Sequence, residues 1–67
     1  MYLVYNQDDR FGSSVPRRFI DQDEANKHRE DSIAQLIKLF SPEAEDLDLL
    51  TRQAKKAMVI EYIYEVD

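Results

Sequence analysis

Glu24, His28 and Asp31 stand at i, i+4 and i+7 in this 67-residue chain, so a helix would bring two carboxylates and an imidazole to one side. These are donor types that a divalent ion accepts. A single helix supplies them in poor geometry, however, and without the outer partners that orient ligands. The chain has one histidine and no cysteine. A hydrated polar helix face accounts for the same spacing, so no metal and no cofactor are expected, and His28 is expected at the surface. Ser13, Ser14, Ser32, Ser41 and Thr51 are the available hydroxyl nucleophiles. None is placed with His28 by an evident motif, and a triad needs a cleft that so short a chain hardly builds. No catalytic residue is assigned, and the chain is expected to be non-enzymatic.

The charged residues raise a second chemistry. Arg10, Arg17, Arg18 and Lys27 lie near Tyr5, Phe11 and Phe19 in sequence, and aromatics interleaved with arginines can stack on bases and neutralise phosphates. Fourteen acids against nine bases give a net charge of −5, which repels nucleic acid. Asp8, Asp9 and Asp21 are at hand to pair the arginines. The opposite idea is mimicry, with Glu43, Glu45, Asp46 and Asp48 in one run and Glu61, Glu65 and Asp67 in another copying phosphates. The bases dilute both rows, and acids at a helix start already answer the helix dipole.

Elements that would position these residues are legible from pattern. "YLVY" at 2–5 has strand composition, and "NQDDRFGSS" is turn chemistry around the sole glycine, Gly12. "VPRRFID" at 15–21 returns as a second strand, in which Pro16 implies a sheet edge and Arg17 and Arg18 fall on opposite faces. Asp21 followed by Glu24 resembles a capping box. A helix is then expected over 22–40, with Ile33, Leu36, Ile37 and Phe40 as its apolar stripe, extended by Ala25 and the stem of Arg29. "SPE" at 41–43 puts a serine cap and a proline at the start of a second helix. Its stripe is Leu47, Leu50, Thr51, Ala54, Ala57 and Met58. No glycine or proline marks its end, which is placed near Ala57.

The closing "MVIEYIYEVD" alternates as a strand: Met58, Ile60, Tyr62, Tyr64 and Val66 on one face, Val59, Glu61, Ile63, Glu65 and Asp67 on the other. The expected architecture is α+β, a two-layer β-β-α-α-β single domain over 1–67, with a three-stranded sheet in order 2-1-3 and two helices on one face. Antiparallel helices would bring the last strand back in the direction of the first. The Met58 to Val66 face should pack under the helices. The face of Val59, Glu61, Ile63 and Glu65, with Tyr2 or Tyr5 adjacent on the first strand, is left without cover.

That face directs the functional expectation. Tyrosine and isolated aliphatics rimmed by charge suit a protein interface, and a core of this size without disulfide or metal gains from a partner. The chain is therefore expected to bind another protein as a small inhibitor, adaptor or regulator, of the kind phages and mobile elements direct against host machinery. The alternative is a nucleic-acid mimic or nucleic-acid-binding protein acting on a DNA- or RNA-processing complex. No basic-then-apolar leader and no apolar run near 20 residues occurs, so a soluble cytoplasmic protein is expected. Self-association through the final strand edge sets Glu61 against itself or against Glu65 in most registers. A weak homodimer should then bury the Val59 and Ile63 face instead.

Overall fold

Five elements follow in the expected order. The computed structural model describes residues 1–12 and 15–64. It shows β1 (Tyr2–Asn6), β2 (Arg17–Phe19), α1 (Gln22–Phe40), α2 (Leu47–Ala57) and β3 (Met58–Tyr62), with 3-10 turns at Asp9–Phe11 and Ser41–Glu43. The strands form one sheet in the order β2-β1-β3, an α+β fold with β1 in the centre. β2 is shorter than its composition suggested, since Pro16 lacks the N–H a ladder needs and pairing begins only at Arg17. Gly12, at φ 84°, ends the first 3-10 turn in a conformation that favours glycine.

α1 begins where its cap demands. The Asp21 carboxylate accepts the backbone N–H of Asp23, satisfying an orphan donor of the first turn. The start of α2 departs from expectation. Ser41 does not cap it; its hydroxyl donates back to the Lys38 carbonyl and so closes α1. Pro42 is accommodated in the 3-10 turn, Ala44 is extended, and Asp46 becomes the cap, accepting from the N–H groups of Asp48 and Leu49. A carboxylate facing two donors at the positive end of a helix is a stronger start than the serine offered.

α2 doubles back along α1 and enters β3 with no turn residue between Ala57 and Met58. The expectation that β3 runs with β1 is therefore corrected: β3 is antiparallel to β1, with Val4 opposite Ile60 and Tyr5 opposite Val59. Helix and strand share one direction, so the reversal assumed between them never occurs. The last four carbonyls of α2, ordinarily orphaned, all find donors. The N–H of Met58 reaches Ala54 and the Arg29 Nη2 reaches Lys55 at 2.7 Å. The Gln7 side chain reaches Lys56 at 2.8 Å, and its backbone N–H reaches Ala57 at 2.8 Å. Arg29 Nε also donates to the Met58 carbonyl at 2.9 Å. Arg29 thus contributes more than the apolar stem assigned to it.

The core lies between α1 and the inner sheet face. Val4, Ala25, Ile33, Ala54 and Met58 are buried together, with Tyr2, Phe19, Leu36, Ile37 and Ile60 packed around them. Val4, 1% exposed, is the one large side chain fully enclosed among the described residues. Three expected core positions fall outside: Leu47 is 55% exposed, because α2 now starts at it, and Tyr62 and Tyr64 are 58% and 76% exposed. These tyrosines lie beyond the helical cover; Val66 lies outside the described residues.

Two stability outcomes follow from these contacts. Ile33→Ala should cost about 2–5 kcal/mol in urea unfolding, whereas Gln35→Ala on the exposed side of the same helix should change stability by less than about 0.5 kcal/mol. Arg29→Met retains the stem and removes the fork. It should cost about 1.5–3 kcal/mol, because the bond to Met58 is half-buried and that to Lys55 is exposed.

Candidate protein-docking face

Side chains alternate across a strand, so the register divides the sheet into two faces. Val4 is buried under α1, which assigns Tyr2, Val4, Met58, Ile60 and Phe19 to the inner face. Leu3 and Tyr5 of the central strand and Met1 just before it, with Val59, Glu61 and Ile63 beside them and Arg18 on β2, form the outer face. Leu3, Tyr5, Val59 and Ile63 are each half-buried and Glu61 and Arg18 exposed. Among the described residues both helices lie on the other side.

Of the expected binding residues, Val59, Glu61, Ile63 and Tyr5 come together here. Tyr2 does not: it faces inward, its ring 5.1 Å from that of Tyr62. Glu65 lies outside the described residues. Leu3 and Arg18 were missed, although counting in twos from Tyr5 reaches Leu3, and Leu3 pairs with Arg18 on one side and Glu61 on the other. Ile63 is held by backbone hydrogen bonding to Met1 at 2.8 Å. The Tyr5 hydroxyl donates to the Glu61 carboxylate at 3.3 Å. The charge of Glu61 disfavours a phenolate beside it, and with dehydration and the hydrogen bond it holds the Tyr5 phenol above its ordinary value.

The other candidate chemistries are dispersed by the fold. Arg10 is forked onto Asp8 at 2.7 Å; that side-chain bond and the Arg10 N–H hold the Asp8 carboxyl below the usual range. Arg17 turns to the inner side and Arg18 to the outer, while Phe11 packs edge-on against Phe40 and Phe19 against His28. No continuous basic and aromatic surface results among the described residues. His28 is half-buried against Phe19 rather than fully at the surface, and it shares a cleft between β2 and α1 with Ser32 one turn later. Ser41 and Thr51 donate to carbonyls of their own helices. Among the described residues no group of three His, Asp or Glu converges as a metal site.

A second groove of about 440 Å³ runs between the first 3-10 turn and the start of α2, floored by Phe11, Phe40, Leu49 and Leu50 and rimmed by Glu43, Glu45 and Asp46. Asp46 is committed to capping α2, which leaves a broken acidic row rather than a phosphate-like ladder. No described helix is long and apolar enough to cross a membrane. The class defined here is a two-layer α+β protein with one sheet face that no described element covers. Comparison with known proteins finds no matching family model, no matching curated protein and no matching solved structure.

The Tyr5–Glu61 contact has a direct readout. In Glu61→Gln the Tyr5 ring resonances should titrate closer to the ordinary tyrosine value in a pH series followed by NMR, and an unchanged Tyr5 titration would remove the contact as the cause.

Proposed function

We propose that this chain is a non-enzymatic protein-binding module that docks a larger protein through its outer sheet face and acts as a small inhibitor, adaptor or regulator. The observation that carries this reading is the row of Leu3, Tyr5, Val59 and Ile63, apolar or aromatic, adjacent and rimmed by Arg18 and Glu61 on the side away from both helices. Such a patch has interface composition, with aromatic and aliphatic residues at the centre and charge at the rim. The slender core supports it, because a fold enclosing one large side chain completely gains much from further apolar burial. The rim charges would speed encounter and select orientation more than they add affinity. Inhibition of host machinery by a phage-type protein belongs to the same reading. A nucleic-acid mimic is disfavoured by the broken acidic row at the start of α2.

The test is capture from a lysate by the wild-type chain, by Ile63→Asp on the outer face and by Lys38→Glu on exposed α1. A protein partner should be retained by wild type and Lys38→Glu and lost with Ile63→Asp, and its association should slow as salt rises. Retention unchanged by Ile63→Asp would overturn the docking face, and retention that nuclease treatment abolishes would favour the nucleic-acid alternative.

A further inference from the structure

The outer face carries its charges in an arrangement that one kind of partner satisfies. Arg18, Leu3 and Glu61 occupy a single row across β2, β1 and β3, because Leu3 is the register partner of both charged residues. Adjacent strands lie about 4.8 Å apart, so the cation and the anion stand about 10 Å from one another on opposite sides of the leucine. Arg18 makes no ion pair among the described residues. Glu61 receives only the Tyr5 hydroxyl there. Neither charge is neutralised among the described residues.

We infer that the face is self-complementary and that a second copy of this chain docks on it, with a two-fold axis running along β1. This rests on the docking reading above and names an occupant for the same surface. In the aligned class of sheet stacking the strand directions stay within about 30° of one another, which leaves two-fold axes along the strands or across them. An axis across the strands returns β2 over β2 and sets Arg18 against Arg18. An axis along β1 carries β2 of one copy over β3 of the other, so that Arg18 of each copy meets Glu61 of its mate while Leu3 and Tyr5 face their own equivalents. Charge complementarity therefore selects the second axis. Apolar positions agree with that choice. Ile20, two residues beyond Arg18 and 93% exposed, is carried toward Ile63 of the mate.

The area sets the strength. Three strands are about 14 Å across, and five residues along each give about 17 Å, well short of the ~1,600 Å² total of a standard interface. The dimer is a weak, concentration-dependent one, with its ion pairs at the rim. Occupancy of the face by a second copy also excludes a larger partner, so self-association would regulate docking by mass action.

Charge reversal tests both the surface and the axis. Sedimentation velocity over a concentration series should show dimer for wild type, and monomer over the same range for Arg18→Glu and for Glu61→Arg, each with an unchanged thermal melt. An equimolar mixture of the two variants should regain the dimer, because every basic position then meets an acidic one across the axis. Wild type that stays monomeric throughout overturns the inference. Dimer that survives both reversals overturns it as well and points to pairing through the free edge of β3. A mixture that stays monomeric although each reversal dissociates the dimer excludes the axis along β1. Failure here is separable from failure of the docking reading: loss of a captured partner in Ile63→Asp with a monomeric wild type leaves docking standing with a heterologous occupant. A dimer obeying the charge rule with capture indifferent to Ile63→Asp removes heterologous docking alone.

Discussion

Everything distal to α1 depends on how α2 ends. A helix that stops leaves four carbonyls in need of donors, and the usual device is a glycine that folds the chain back over them. Here no glycine is present, and the donors come from elsewhere: Arg29 from the middle of α1 and Gln7 from the residue after β1. Because these groups take the carbonyls without bending the chain, it can pass straight from helix to strand. The same arginine occupies the Met58 carbonyl at the start of β3, so one side chain both ends the helix and begins the strand.

Direction follows from that junction. α2 lies antiparallel to α1, and β3 inherits its direction, which makes the sheet antiparallel throughout. The register then sends Met58 and Ile60 under α1 and Val59, Glu61 and Ile63 outward beside Leu3 and Tyr5. α2 carries a strongly apolar side, but much of it meets the C-terminal part of α1 and the loop after β1 rather than the sheet, as Leu50 and Phe40 lining one groove show. The molecule is elongated as a result, 48 × 21 × 14 Å. The core is correspondingly thin, and the outer face pairs apolar residues with opposed charges.

Much of the candidate face was visible in advance. Val59, Glu61 and Ile63 announce themselves by alternation in "VIEYI", and Tyr5 by the same period on the first strand. Tyr2 was grouped with Tyr5 although they stand three positions apart, and an odd offset on one strand puts two side chains on opposite faces. Arg18 was noted as facing away from Arg17, yet its partnership with Glu61 is a property of two registers that meet at Leu3. No local pattern records such a meeting, since the residues are far apart in sequence.

The sequence by itself determined the element types, their order, the bounds of α1 and the β2-β1-β3 arrangement. Those features rest on local physics: periodicity of apolar residues, the Asp21 cap, and a proline that confines its strand to an edge. Only the tertiary structure decided which of two caps starts α2, what ends it, and which way β3 runs. Competition between Ser41 and Asp46 turns on where the chain leaves helical geometry, and Ser41 stays wound against the end of α1 while Asp46 is extended ahead of α2. The ending and the direction were decided by Arg29 and Gln7, whose hydrogen bonds to the helix end join residues far apart in the chain, by 26 positions for Arg29 to Lys55 and 49 for Gln7 to Lys56. A helix terminus satisfied by distant donors leaves no mark in its own sequence, because the requirement is met wherever the fold brings a donor.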